Sequence, residues 1–263
     1  MITIAELWIY PVKSLAGIRV DSHPLNEVGL VYDREWMITD SDGRFITQRE
    51  YPVLALVQTT LNDATLTLTH NSTTVQIPLQ HSATNQRTVT VWDDTAQAHD
   101  EGEEVARFLT AVLGTNARLV RRIPTSMRSV DSKYAMNNDG VHFGDAMPLH
   151  VINTASLEEL NSRLDEPVSA DRFRANIIVQ GATAYHEDTW KQVRINSVDC
   201  TVPKATGRCV MTTINQQTAI SSKEPLRTLA QYRTIQNKTL FGVYLIHQQK
   251  YGVLNVGNEV IIL

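Results

Sequence analysis

The sequence predicts a mainly β protein in two parts: a β-rich N-terminal domain over residues 1–115, and a closed β-barrel with flanking helices over residues 116–263. Short segments rich in β-branched and aromatic residues, several alternating apolar with polar, recur along the chain. Helical periodicity is confined to 100–114, 154–164 and 223–233, too little for a parallel α/β sheet. The first helical stretch follows a long strand-like run and so marks the boundary.

In chain order, "ITIAELWIY", "EWMITD", "LALVQTT", "ATLTLTH", "TTVQIPL" and "TVTVW" read as strands. "DEGEEVARFLTAVLG" reads as a helix: Asp100 can cap it and Glu103 sits at the capping-box position. Val105, Phe108, Leu109 and Val112 share one of its faces, and Gly114 can end it. "ARLV" returns to strand. Residues 121–144, with Met127, Tyr134 and the run Asn137, Asn138, Asp139, Gly140, form a polar stretch without periodicity, and a loop of that length is usually functional or mobile. "LHVIN" is a strand, and "TASLEELNSRL" is a helix with Leu157, Leu160 and Leu164 on one side. The remaining strands are "ANIIVQ", "WKQVRI", "LFGVYLI" and "NEVIIL", interrupted by a helix at "KEPLRTLAQYR" with Pro225 suited to its first turn.

Composition narrows the setting. With 263 residues, 42% of them hydrophobic, the chain can bury one large core or two modest ones. A formal charge of −4 and the absence of a basic run argue against a nucleic-acid or anionic-membrane surface, so no nucleic-acid and no membrane partner is expected. "MITIAELWIYPVK" has no basic stretch before its apolar residues and is broken by Pro11, so no secretory leader is expected. No apolar run approaches the roughly 20 residues of a spanning helix, and a cytoplasmic setting is expected.

Chemistry has few carriers. The chain lacks GxGxxG, a Walker loop and HExxH. Its two cysteines, Cys200 and Cys209, are too few for an iron–sulfur cluster, which ordinarily takes about four. In a reducing compartment Cys209 stays a free thiol beside Arg208. Cys200 lies in the strand-like "VDCTVPK" and reads as a buried packing residue. The histidines at 23, 70, 81, 99, 142, 150 and 247 form no ligand spacing, and His186 in "AYHEDTW" reads as part of a link between strands.

Taken together and in order, "RFRANIIVQG", "YHEDTW", "GRCVMTTINQQTAISSKEPLRTLAQYR", "LFGVYL" and "VGNEVIIL" resemble the MOSC family of molybdenum-cofactor proteins, in particular the branch of bacterial YcbX and the mitochondrial amidoxime-reducing component. "IYPVKSLAGIRV" and "GLVYDREWMIT" extend the resemblance to that branch's N-terminal β domain, so it spans nearly the whole chain. Bacterial members often end in an extra ferredoxin-like domain, whereas this sequence stops at "NEVIIL", consistent with its cysteine count.

The resemblance implies a MOSC-type barrel that, with the N-terminal domain, clasps a molybdenum cofactor, a molybdopterin carrying Mo. Cys209 falls on the position that ligates the metal, a role suited to a soft thiolate. Lys13, Ser14 and Arg34 fall on phosphate- and pterin-binding positions, where a phosphate needs cations and hydroxyl donors. Arg174 and Asn176 match cofactor-binding residues at the entry of the "IIV" strand, and Asp145 matches an acidic residue near the metal that would relay protons. Gly207 stands where many relatives have serine, leaving only its backbone N–H, and Ala175 stands where relatives usually have proline. The activity implied is reduction of small N-hydroxylated substrates, hydroxylamine-type base analogues and amidoximes, with electrons from a separate flavin or iron–sulfur donor protein. Two alternatives remain: a sulfur carrier using a Cys209 persulfide, and a protein that only stores or passes on the cofactor.

Overall fold

In the computed structural model, which describes residues 1–80, 85–126, 128–135 and 139–263, the chain is mainly β. His81, Met127, Asn137 and Asn138 lie outside the described residues. The barrel begins with strand Thr3–Ile9, which pairs antiparallel with Ile177–Gln180, Thr3 opposite Gln180 and Leu7 opposite Ile177. Ile177–Gln180 runs parallel to Leu149–Asn153, and such a parallel pair needs a long crossover. Helix α1 (Glu103–Leu113) belongs to the N-terminal unit; helix α2 (Thr154–Asn161) lies within that crossover. The path continues through Lys238–His247, Val198–Thr201, Gln192–Ile195 and Val260–Ile262. It returns to its start where Ile4 N–H donates to Asn258 O (2.9 Å) and Val260 N–H to Ile2 O (2.8 Å).

Alternation along these strands places Leu7, Leu149, Val151, Ile177, Val193, Val243 and Leu245 inside, all essentially without exposure. Cys200 packs in this core, and burial pushes its thiol up to about 12, as befits a packing residue. A second cluster, with Phe173, Phe241 and Leu229, is formed with α2 and helix α3 (Leu226–Tyr232) against the outside of the sheet.

The N-terminal unit holds a four-stranded sheet, Trp36–Thr39, Arg118–Arg122, Asp94–Asp100 and Gln86–Val91, and a three-stranded one, Gln58–Leu61, Thr65–His70 and Thr73–Pro78. Between them α1 buries Val105, Phe108 and Leu109 against Trp36, Leu66 and Leu68, the face its periodicity predicts. Gly114 ends the helix in the left-handed region, φ 71°.

Local expectations fail where a distant partner intervenes. Asp100 does not cap α1; the cap residue is Gly102, and the Asp100 carboxylate instead binds Arg118 and Arg87 from the neighbouring strands. Glu103 likewise turns to Arg118. "LALVQTT" divides into a 3-10 turn, Pro52–Leu56, and the strand Gln58–Leu61. Pro225 stands at the cap of α3 rather than within its first turn.

The two units exchange strands. Thr3–Ile9 belongs to the barrel, while Arg118–Arg122 lies in the N-terminal sheet. Between Ile9 and Trp36 the chain crosses from one unit to the other. Among the described residues no helix is long and apolar enough to cross a membrane.

Candidate functional site

A cleft opens where the two units meet, about 940 Å³ when the open space at its mouth is counted. The N-terminal unit contributes Lys13, Ser14 and Arg34 to its lining. The remaining predicted residues, Asp145, Arg174, Asn176, Gly207 and Cys209, come from the other side. All eight positions thus converge, although the sequence spreads them over nearly two hundred residues.

Lys13 and Ser14 sit in a turn that leaves the first barrel strand and docks on the N-terminal sheet. Lys13 N–H donates to Trp36 O at 2.8 Å, and Ser14 takes a left-handed conformation, φ 71°. The Lys13 side chain is buried and its Nζ donates to Phe143 O at 3.0 Å and to the Asp145 carboxylate. Burial lowers its pKa while Asp145 opposes the fall. Asp145 remains in contact with the solvent of the cleft, its side chain 53% exposed. Enclosure would raise its pKa, but Lys13, Arg34 and Arg49 outweigh that and hold it below the usual carboxylate range.

Arg34 and Arg174 approach each other from the two units, both in the left-handed region at φ 50° and 52°. Arg34 Nη1 grips both oxygens of Asp33, at 2.7 and 2.6 Å, and its Nη2 donates to Arg174 O at 2.8 Å. Burial lowers the Arg34 pKa, yet Asp33 more than offsets this and the net shift is upward. Arg174 Nη1 donates to Leu15 O at 2.6 Å, and burial brings its pKa down to about 10, so it stays charged at neutral pH. Asn176 stitches strands together, its Oδ1 accepting from His150 N–H (3.2 Å) and its Nδ2 donating to Trp8 O (3.2 Å).

Cys209 is exposed and begins a 3-10 turn, Val210–Thr213. Its carbonyl accepts from Thr212 N–H (3.1 Å) and Thr212 Oγ1 (3.0 Å), and Thr213 Oγ1 donates to Val210 O (2.7 Å). The paired threonines therefore fix the turn that presents the thiol. Arg208 reaches under it, donating to Phe173 O at 2.9 Å, with Nη1 3.4 Å from His150 Nε2. Lys204, also near Cys209 in sequence, lies instead over the ring of Tyr134 at 4.6 Å. Gly207 has room: an added Cβ would meet only Lys238 carbons at 3.9 and 4.0 Å.

Sequence reasoning passed over several residues that the cleft uses. Asp33 anchors Arg34 and also accepts from Tyr10 N–H at 2.8 Å. His142 and His150 line the cleft, and burial lowers the first to about 3 and the second well below the ordinary imidazole value, so both are neutral. The His142 Nδ1–H donates to Asp33 O at 2.6 Å. The one local sign was proximity to residues already singled out, Arg34 for Asp33 and Asp145 for the histidines. His186, by contrast, accepts from Trp190 Nε1–H at 3.1 Å outside the cleft, the structural part read for it.

Six cations line the cleft, Lys13, Arg34, Arg49, Arg172, Arg174 and Arg208, against two carboxylates, Asp33 and Asp145. Ser14 Oγ, Arg174 Nη2 and Arg208 Nε are buried without a partner among the described residues. Unpartnered buried donors are costly, and an anion in the cleft would satisfy them. Among the described residues no group of three or more His, Cys, Asp or Glu could hold a metal. A metal at Cys209 would therefore bring further ligands of its own. An anionic organic group carrying a metal fits this set: phosphate oxygens for the orphaned donors and an accessible sulfur for the metal.

Comparison with known proteins accords with this arrangement. Residues 1–116 match the MOSC N-terminal beta barrel domain and residues 138–261 match the MOSC domain. The chain is 35% identical to the mitochondrial amidoxime reducing component 2 of Rattus norvegicus, over 98% of this chain and 82% of that protein. It is 36% identical to the mitochondrial amidoxime-reducing component 1 of Mus musculus, over 99% and 82%. It is also 32% identical to the molybdenum cofactor sulfurase of Danio rerio, over 98% of this chain but only 34% of that protein.

Proposed function

The chain belongs to the MOSC family, and from that premise we propose that it is a molybdenum-cofactor-dependent reductase of small N-hydroxylated compounds such as amidoximes and hydroxylamine-type base analogues. The observation that carries this reading is the accessible Cys209 sulfur in a cleft whose buried donors, Ser14 Oγ, Arg174 Nη2 and Arg208 Nε, await an anion. When bound, the cofactor supplies the two-electron chemistry that removes oxygen from an N–O bond.

The chain's residues then do what their geometry allows. Cys209 provides a thiolate to the metal. Lys13, Ser14, Arg34 and Arg174 hold the phosphate and pterin, with Asn176 and the Gly207 backbone N–H bordering them. Asp145, ionised beside Lys13, holds that ammonium in place. Its exposure to the solvent of the cleft keeps the proton-relay part with Asp145 in this reading. Electrons come from a separate flavin or iron–sulfur protein. The proposed compartment is the cytoplasm, although the names of the amidoxime-reducing relatives place those proteins in mitochondria.

The sulfur-carrier alternative draws on the same exposed thiol and on the relative named molybdenum cofactor sulfurase. A persulfide carrier has no use for the orphaned donors, which favours the reductase. Protein purified from cells that make the cofactor is expected to carry molybdenum and pterin and to reduce an amidoxime with a chemical reductant, and Cys209→Ala to lose turnover. Full metal content and activity in Cys209→Ala would refute the role given to the thiol. Cyanide-releasable sulfur without molybdenum would favour the carrier.

A further inference from the structure

Tyr10 is 2% exposed, and two of the cleft arginines, Arg34 and Arg174, stand over its ring. The Arg34 guanidinium carbon lies 4.4 Å from the ring centroid and that of Arg174 lies 4.3 Å away. Arg34 has Asp33 as counter-charge. Arg174 has a backbone carbonyl on Nη1 and nothing on Nη2 among the described residues, so the ring face is a main support for its charge. The phenol donates to Ala175 O at 3.4 Å, a long contact, and burial pushes its pKa up to about 12, so it carries no charge of its own. What Tyr10 offers the arginines is its π face.

The ring is in turn held from one side by a missing side chain. A Cβ on Gly17 would lie 2.5 Å from Tyr10 Cε1 and 2.8 Å from Cδ1, so the ring occupies the space that glycine leaves. Gly17 has an ordinary φ, and steric contact alone governs a substitution there.

We propose that Tyr10 is a positioning residue whose ring, seated on Gly17, sets the spacing of Arg34 and Arg174 across the junction of the two units and so prepares them for the anionic end of the cofactor. The inference rests on the functional reading above. Without the ring, two like charges converge in a buried place with one carboxylate between them, and their mutual repulsion moves the unanchored Arg174 away.

The test compares Tyr10→Phe, Tyr10→Leu and Gly17→Ala with the wild type. Val105→Ala, in the α1 core and outside the cleft lining, controls for general destabilisation. Molybdenum and oxidatively released pterin are counted per chain after purification, and again during dialysis to give a rate of loss, beside the melting temperature of each protein. Tyr10→Phe keeps the ring and is expected within about twofold of wild type in both. Tyr10→Leu and Gly17→Ala are expected to lose cofactor at least fivefold faster, and Val105→Ala at the wild-type rate. The proposal is overturned if folded Tyr10→Leu retains cofactor as the wild type does. It is equally overturned if loss in all variants simply follows melting temperature. Should Tyr10→Leu fail to fold, Gly17→Ala decides, because it moves the ring without removing it. Wild-type protein devoid of pterin would defeat the functional reading itself, and this inference with it.

Discussion

Replacing Asp33 by Asn isolates the electrostatic core of the cleft. The side chains of Asp33 and Arg34 are 7% and 15% exposed, and the carboxylate receives two short contacts from Arg34 and one from Tyr10 N–H. Asn keeps the shape and one acceptor oxygen, so the Tyr10 contact survives while Arg34 loses its counter-charge. Removing one partner of a buried ion pair costs about 3–5 kcal/mol. The Arg34 bond to Arg174 O and the Tyr10 ring remain, so the lower end, about 3 kcal/mol, is expected. For a chain of this size each kcal/mol moves the melting temperature by about 2–4 °C, giving a fall of about 6–12 °C in cofactor-free protein. The cost should shrink when the cleft is loaded, because a bound phosphate returns negative charge to Arg34. Thermal unfolding of both proteins, stripped and loaded, measures the two differences. A stripped Asp33→Asn protein within 2 °C of wild type, or an equal loss in both states, would refute the electrostatic account.

Two further substitutions address other parts of the site. Gly207→Ser should fold with a stability change within about 0.5 kcal/mol, since an added Cβ meets only the Lys238 side chain, and should retain pterin at least as well as wild type; a marked loss of either would show that the space is used differently. His142 supplies a pH test. Its folded pKa of about 3 lies below the ordinary unfolded value of about 6.5, so the unfolded chain binds the extra proton and acid favours unfolding. The stability it contributes is complete above about pH 6.5 and lost as pH falls towards 3, on the order of 3 kcal/mol by pH 4. Glu101, raised to about 7 by burial, acts in the opposite sense between about pH 4.5 and 7, so the informative quantity is a difference. The melting temperature of His142→Gln should depend less on pH below 6 than that of wild type, and parallel curves would contradict the assignment.

How much of this was legible depended on how local each cause is. The α1 face and Gly114 follow from neighbours within a few residues, and they appear as read. The strand Asp94–Asp100 escaped notice because its inward positions include Ala96 and Ala98, which fill a narrow gap in the sheet without looking hydrophobic as a run. Asp100 looked like a cap because Arg87 and Arg118 reach it only once the sheet has formed. The same division holds in the cleft. Lys13, Arg34, Arg174 and Cys209 were approachable through ordered motifs. Asp33 was given no part, and Tyr10 was only the last residue of the strand read in "ITIAELWIY", until the fold set two arginines around the ring. His142 and His150 show no ligand spacing because they serve as neutral members of a cationic wall.

The pairing of Thr3–Ile9 with Ile177–Gln180 also fixes a sequence of events in time. Trp8 N–H finds its acceptor on Asn176, 168 positions downstream. At a synthesis rate of about 5–20 residues per second, that stave waits roughly 10–30 s for its neighbour to emerge from the ribosome. Lys13 and Ser14 hang from its end, and the residues that face them across the cleft, Arg174 and Cys209, are made in the same interval or later. The cleft is therefore among the last features of the molecule to be assembled, and any ligand it holds must arrive after translation has passed the barrel's midpoint.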